Sequence, residues 1–382
     1  MQREPGSNAT RPKAVRHIAA AAASAILAAW APMAAQAGPF KVERAAVLKS
    51  IGDVEATDIR LFPLETGAVA FRHLITRPDA LTLRLHFSVR KPAPGWRLLV
   101  KGQGESGWAI SDVEAGSGGF WSDEIPGSRV EITIESSAPD NALELVIDKL
   151  VVGRSKITPV SIVGPNQLSP IGRQDAPIVA LGRSVARLRF VADGGGAFTC
   201  TAFLITRDLM LTNQHCLATP TETESALVDF DFDSATARRT TMRLKELLAT
   251  DIPLDFSVVR LTQPVDRAPL GLSTTRPQDG GTLLVIQHPA GEPKQVSIAD
   301  CAVSGAIVPG RDGSPVDFGH TCDTKGGSSG SPVLDFDGMQ VIGLHHLGFP
   351  EGVMGLVNQG THIARILEAM GVELREEVEN QD

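Results

Sequence analysis

From Phe40 to about Val152 apolar and polar positions alternate in short runs. Leu81-Thr82-Leu83-Arg84-Leu85-His86-Phe87-Ser88-Val89-Arg90 changes face at every residue, and Arg129 to Glu135 repeats the pattern. A period of two is that of a half-buried strand. Leu98 to Val100, Trp108 to Ile110 and Leu143 to Val152 are further strand candidates. Turn-forming clusters separate them at Pro92 to Gly95, Gly116 to Gly119, Pro126-Gly127 and Pro139-Asp140-Asn141. Short strands at this spacing predict an antiparallel β-sandwich. His86 falls on the polar face of its strand and is expected in solvent; His73 is isolated. Between Gly153 and about Gly182 the pattern breaks on Pro159, Gly164, Pro165, Pro170, Gly172 and Pro177. This reads as a linker or an extended wrapping segment, with Arg154, Lys156 and Arg173 as accessible processing bonds. Val185 to Met370 is β-rich again and ends in one amphipathic helix. Thr361 is its candidate cap, and Ile363, Ile366, Leu367 and Met370 share its apolar face. The acidic tail Glu373 to Asp382 is expected to fray.

The first 37 residues stand outside this pattern. Arg3, Arg11, Lys13 and Arg16 precede an Ala-rich apolar run from Ile18 to Met33, which ends at Ala35-Gln36-Ala37. A basic start, a short apolar core and a small-x-small site make a secretory signal peptide. Its removal takes away four basic residues and one acidic, moving the formal charge from −8 to −11. No later run is long enough to span a bilayer. With 42% hydrophobic and 21% charged residues the chain is globular in composition. It carries no basic excess, which excludes nucleic acid as the main partner. Tyr is absent, so tyrosine chemistry is excluded. The expected layout is a signal peptide (1–37), a β-sandwich (38–153), a linker (154–183), a second β domain (184–372) and a tail (373–382). Export makes the four cysteines candidates for disulfides. Three pairings exist and spacing does not choose among them. The local one, Cys200–Cys216 with Cys301–Cys322, is the simplest, each bridge contributing about 3 kcal/mol by the chain-entropy argument. No CxxC is present to favour zinc.

Four segments of the second region carry chemistry. Thr212-Asn213-Gln214-His215-Cys216 delivers a His at the end of a strand. Asp255-Phe256-Ser257-Val258-Val259 places an Asp at the head of another. Gly326-Gly327-Ser328-Ser329-Gly330-Ser331-Pro332 offers a Ser among glycines. Val341-Ile342-Gly343-Leu344-His345-His346 ends a third strand in two histidines. A serine hydroxyl is a weak nucleophile at neutral pH and needs a base. His can serve, and a buried Asp can hold its tautomer. The glycines allow a sharp turn whose N–H groups face an oxyanion. The order His215, Asp255, Ser329 is not the Ser, Asp, His order of α/β-hydrolases. Asp251 is the reserve for Asp255, and Ser328 and Ser331 are reserves for Ser329.

These blocks resemble the active-site motifs of trypsin-like (chymotrypsin-fold) serine endopeptidases. Gly-Ser-Ser-Gly-Ser-Pro is similar to the form in the bacterial branch that contains glutamyl and lysyl endopeptidases. The resemblance covers about Val185 to Met370. It implies an all-β fold of two six-stranded Greek-key barrels, preceded here by the sandwich. His215, Asp255 and Ser329 would form the triad, the amides of Gly327 and Ser329 the oxyanion hole, and Cys200–Cys216 the staple of the His loop. No cofactor or metal is implied, and the partners would be protein or peptide substrates. Many animal members activate when a freed N-terminal amine pairs with an acid just before the nucleophile. Ser328 stands at that position, so Ile162-Val163-Gly164 lacks that partner as a mature start.

Two substrate-pocket candidates oppose each other. Asp323, six residues before Ser329, matches the acid that receives Lys or Arg side chains. His345 matches the histidine that helps glutamyl endopeptidases bind Glu, and the balance leans towards acidic substrates. His346 would face the other way along the strand. Asp229, Asp231 and Asp233 share one strand face and are expected in solvent rather than on Ca²⁺. Gly194-Gly195-Gly196 reads as a hairpin turn and His288-Pro289 as a turn start. The expectation is a secreted or periplasmic serine endopeptidase. The rivals are a non-catalytic secreted binding protein on the same scaffold and an esterase with the same three residues.

Overall fold

The computed structural model describes residues 48–380, apart from 62–66, 105–106, 116–117, 137–142, 155–159 and 349–356. The signal-peptide expectation lies outside the described residues. The alternating segments form two antiparallel sheets. One pairs Glu144–Gly153 with Lys49–Leu61 on one side and Thr82–Lys91 on the other, with Gly119–Trp121 beyond. The other pairs Arg129–Ser136 with Gly67–Thr76 and Trp96–Lys101, with Gly107–Ser111 beyond. In Trp96–Lys101 the buried residues are Trp96, Leu98 and Val100, while Arg97 and Lys101 face solvent. They join Leu83, Leu85 and Phe87 of the first sheet in one core. The other face of Thr82–Lys91 is not left to solvent. Arg84 is buried and donates to the carbonyls of Ser122 (2.9 Å) and Ser225 (2.6 Å). His86, expected in solvent, is half-buried against Asp148 and the Trp121 ring. The alternation reads the inner face correctly, but a second layer covers the outer one.

That layer is the first of two barrels. Its strands are β1 (Val185–Val191), β2 (Ala197–Leu204), β3 (Leu209–Thr212), β4 (Leu227–Phe230), β5 (Thr240–Asp251) and β6 (Phe256–Leu261). They pair in the order β1-β4-β5-β6-β3-β2, and β2 returns to β1 through seven partnered residues. Closure removes free strand edges, and near-continuous burial along β2, β3 and β4 follows from it. The start of the sandwich adds to this barrel: Lys49, Ser50 and Gly52 pair with Thr199, Phe198 and Ala197 of β2.

The second barrel contains β7 (Leu283–Gln287), β8 (Gln295–Ser297), β9 (Val303–Val308), β10 (Asp317–His320), β11 (Pro332–Asp335), β12 (Val341–Leu347) and β13 (Asn358–His362). The path is β8-β7-β11-β12-β13-β10-β9. Its ends meet at a single bridge, Thr282 with Ala302, so this barrel closes less completely than the first. Both disulfides follow the local pairing, Cys200–Cys216 and Cys301–Cys322. Among the described residues no helix is long and apolar enough to cross a membrane.

Three local expectations are corrected. Thr361 is not the helix cap; it lies in β13, its hydroxyl 2.9 Å from the Leu254 carbonyl and 3.1 Å from Asp317 Oδ1. The helix starts after His362 and buries Ile363, Ile366 and Leu367 as expected, with Met370 alongside. The acidic tail is a helix, Val372–Glu379, because Val378 enters the core and Arg260 forks onto Glu377 at 2.9 and 3.0 Å. The three aspartates do not share a strand face: the strand ends at Phe230, and Asp231 and Asp233 beyond it stay partly exposed, at 32% and 42%. Asp229 is buried against Arg187 and Arg189, Asp231 pairs with Arg267, and Asp233 with Lys294. Burial opposes the Asp229 charge, but the two guanidiniums prevail and hold its carboxyl well below the usual range.

Because the sandwich shares a ladder with β2 and anchors Arg84 on the Ser225 carbonyl, the two parts are expected to unfold together. Scanning calorimetry of the full chain should show one transition; two resolved transitions would contradict a shared cooperative unit.

Candidate active site

β3 delivers His215. The strand ends at Thr212, and a turn follows in which the Asn213 carbonyl accepts from the amides of Cys216 (3.2 Å) and Leu217 (3.1 Å). Cys216 is bonded to Cys200 in β2, which fixes the loop to the barrel wall. Asn213 Nδ2 donates to the Asp255 carbonyl at 2.9 Å, so the His loop and the Asp loop hold each other.

Asp255 sits at φ +50°, a left-handed conformation that Asp tolerates better than most residues. The turn before it is set by Asp251, whose Oδ1 accepts the Leu254 amide at 2.8 Å. The reserve residue is therefore occupied in the turn, and the chain reversal aims Asp255 inward. Asp255 Oδ1 accepts the His215 amide at 2.9 Å, and Oδ2 lies 2.7 Å from His215 Nδ1. Both side chains are 1% exposed. Arg311 reaches Oδ1 at 3.0 Å, and His346 Nδ1 lies 3.4 Å from Oδ2. Burial works against the Asp255 charge; His215 and His346 outweigh it and hold the carboxyl far below its ordinary range.

The serine turn comes from the second barrel and is clamped by the first. Ser328 donates its amide to the Lys325 carbonyl at 2.9 Å, with Gly327 at φ +102°. Positive φ at the third residue is the type II pattern, which requires glycine there. A Cβ on Gly327 would stand 2.9 Å from the Gly291 nitrogen and 3.0 Å from the His288 carbonyl oxygen. Thr201 of β2 holds the turn twice: its amide donates to the Ser329 carbonyl (2.8 Å) and its hydroxyl to the Gly327 carbonyl (2.9 Å). Gly330, at φ +86°, packs so tightly that a Cβ would lie 2.1 Å from the Thr201 carbonyl oxygen and 2.5 Å from Thr212 Oγ1. Ser329 is thus fixed beside the end of the strand that delivers His215. It keeps 7% exposure, whereas Ser328 and Ser331 are fully buried. The Ser328 hydroxyl accepts the Lys325 amide, and the Ser331 hydroxyl donates to the Ser328 carbonyl. Both reserves are used inside the turn.

The two pocket candidates separate. Asp323 is 3% exposed, and its oxygens accept the amides of Val163 and Gln167, each at 2.8 Å. It anchors the wrapping segment, whose Val160 and Ser161 also pair with Lys325 and Thr324. His345 is buried, with Nδ1 3.1 Å from His320 Nε2. Burial pushes the His320 imidazole down to about 3, helped by the charge of His346. It pushes His345 well below its ordinary value, with His320, His346 and His215 adding to the effect. His346 behaves oppositely. Burial disfavours its charge, but Asp317 at 2.6 Å and Asp255 raise it to about 10.

His320, Arg311 and Asp317 were missed by sequence reasoning. Each comes from the β9–β10 hairpin, and no short-range pattern links it to the other segments. Cys200, His215 and Cys216 bring possible ligand atoms within 4.8 Å of one another, but both sulfurs are spent in the disulfide.

Stability should peak near neutral pH. His320 and His345 are held neutral, so below pH 6.5 the unfolded chain takes up protons that the fold excludes. His288 acts the same way, lowered by burial with Lys294 adding. His346 has the reverse sign: its contribution is full below about 6.5 and disappears as pH rises through about 10. Urea unfolding between pH 4 and 10 should show falling stability at both ends, with a limiting slope of about 1.4 kcal/mol per pH unit per proton. A flat profile from pH 7 to 10 would contradict the His346 assignment.

Comparison with known proteins places this geometry. Residues 200–344 match the trypsin-like peptidase domain family. Secreted RxLR effector protein 73 of Plasmopara viticola is 30% identical over 190 residues, 43% of this chain and 45% of that protein. The uncharacterized protein y4fB of Sinorhizobium fredii is 27% identical over 213 residues, 50% of this chain and 31% of that protein. The chain thus spans less than half the length of either curated relative. Among solved structures, Deg5 is 21% identical, covering 50% of this chain and 88% of its own, with a TM-score of 0.39. The Rv3671c protease of M. tuberculosis in its active form is 18% identical, covering 57% and 92%, with a TM-score of 0.39. A scabies mite inactivated protease paralogue is 15% identical, covering 53% and 96%, with a TM-score of 0.42. Residues 200–344 of this chain are thus similar to the trypsin-like peptidase domain.

Proposed function

We propose that this protein is an exported serine endopeptidase that hydrolyses peptide bonds through an acyl-enzyme on Ser329. The observation that carries the reading is the buried His215–Asp255 pair. Nδ1 of His215 meets the carboxylate at 2.7 Å, which leaves Nε2 as the nitrogen for proton transfer. In the proposed reaction Nε2 takes the Ser329 proton as Oγ attacks the peptide carbonyl. The same proton then passes to the leaving amine, and water repeats the cycle on the ester. Asp255 holds the tautomer and offsets the imidazolium that forms. The amides of Gly327 and Ser329 receive the oxyanion, and the positive φ of Gly327 gives the turn that carries them. Two disulfides and the predicted signal peptide support export, as does the printed name of a relative, a secreted effector.

His345 is assigned to the substrate side-chain pocket in preference to Asp323, because both Asp323 oxygens already hold backbone amides. Acidic side chains are the expected class.

Digestion of an unbiased peptide mixture, read by mass spectrometry, tests the reading. The mature chain should cut after acidic residues. Ser329→Ala should lower kcat by about 10⁴-fold or more. Gly327→Ala should lower it by about 10²–10³-fold through the oxyanion hole. Cuts after Lys or Arg would return the pocket to Asp323. No Ser329-dependent cleavage would leave a non-catalytic binding protein.

A further inference from the structure

A histidine that the proposed mechanism does not use lies directly behind Asp255. His346 is 2% exposed, and both of its ring nitrogens face carboxylates: Nε2 is 2.6 Å from Asp317 Oδ2 and Nδ1 is 3.4 Å from Asp255 Oδ2. Nε2 hydrogen-bonds to Asp317 and Nδ1 stands at ion-pair distance from Asp255; a neutral imidazole would turn a lone pair towards one of these buried oxygens, whereas the doubly protonated ring presents an N–H to both. The backbone explains how it gets there. His345 of β12 pairs with Gly360, and Leu347 pairs with Gln359, so His346 is the extra residue of a β-bulge. Bulges re-aim side chains. Here the bulge lets consecutive histidines both point into protein, His345 to His320 and His346 to the carboxylates. Asp317 is held in turn, its Oδ1 lying 3.1 Å from the Thr361 hydroxyl.

We infer that His346 is a positioning residue for the peptidase reaction: an imidazolium clamped between Asp255 and Asp317 that fixes the carboxylate orienting His215 and offsets its charge. The inference rests on the serine-peptidase reading above. The groups facing His346 are Asp255 at the head of β6, Asp317 and His320 of β10, and His345 of β12, with Arg311 and His215 across the Asp255 carboxylate. With His320 and His345 held neutral, two carboxylates are balanced by His346 and Arg311. Without the His346 charge the cluster carries one net negative charge, which favours the His215 cation. The protonated, inactive form of the base would then persist to higher pH. The clamp also restrains the second oxygen of Asp255.

The test uses the full mature chain and a peptide taken from its own digest. His346→Gln keeps one donor and removes the charge; Asp317→Asn keeps the shape and weakens the clamp. For His346→Gln, kcat should fall about tenfold with KM within about twofold. The acid limb of kcat/KM should rise by about one pH unit. Asp317→Asn should lower kcat in the same sense, since its histidine no longer stays charged at neutral pH. An acid limb and kcat both unchanged in His346→Gln would overturn the proposal. So would a KM rise with kcat intact, which would place His346 in substrate binding. Nitrogen-15 NMR of the histidine rings in the unmutated chain reads the clamp without turnover. One imidazole should stay doubly protonated to about pH 9, vanish in His346→Gln and shift in Asp255→Asn. If no chain cleaves any peptide, the peptidase reading fails and the NMR result alone decides the clamp. Absence of an imidazolium above pH 8 overturns it.

Discussion

A carboxylate shut off from water has to be surrounded by donors, and Asp255 is where this structure meets that demand. Its oxygens accept the His215 amide and meet the His215 ring, and the Arg311 guanidinium and the His346 ring stand at ion-pair distance, 3.0 and 3.4 Å. Leaving such a charge unpaired costs several kcal/mol, so the elements that bring these donors together are bound by one electrostatic constraint. β3 and its disulfide bring His215, the β9–β10 hairpin brings Arg311, and a bulge in β12 brings His346. The two barrels meet at this ion. Its left-handed backbone is a local cost that the surrounding contacts override.

The serine turn obeys a different constraint, that of space. Thr201 fastens the backbone of Gly327 and Ser329, and Gly330 fits where no Cβ could stand. The second barrel's most exacting turn therefore packs against strands of the first. The wrapping segment supports the same region from outside by holding Asp323 and pairing with Thr324 and Lys325. The intact chain already supports this wall, without a freed amine and an acid at position 328.

The alternation along the chain made both strand-rich regions legible, and the motif order made His215, Asp255 and Ser329 stand out as a set. The local cysteine pairing was also the simplest choice. What stayed hidden has a common cause: the partner lies far away in sequence. Asp229 sits on an apparently polar face, yet Arg187 and Arg189 come from a strand about forty residues earlier. His86 reads as a solvated position until Asp148 and Trp121 close on it. Thr361 looks like a helix cap because it precedes an amphipathic run, but its hydroxyl is claimed by Leu254 and Asp317. The tail is acidic enough to fray, and Val378 with Arg260 keeps it folded. His346 is visible as a letter, but a bulge is invisible to a period-two reading. Asp323 shows the converse: the resemblance offered it as a pocket candidate, and its oxygens hold the amides of Val163 and Gln167.

The shared ladder between Lys49–Gly52 and Ala197–Thr199 has a consequence for how the molecule is made. Synthesis delivers the earlier strand first, well before its partner exists. The contact closes a loop of some 150 residues, whose entropic cost grows only logarithmically with length but must be met before the contact gives any return. Within the sandwich's own ladder Gly52 of this stretch pairs with Gly153, while Lys49 and Ser50 wait for their ladder partners Thr199 and Phe198. The ladder is completed when β2 arrives. The first barrel and the sandwich are in this sense finished by the same late contact.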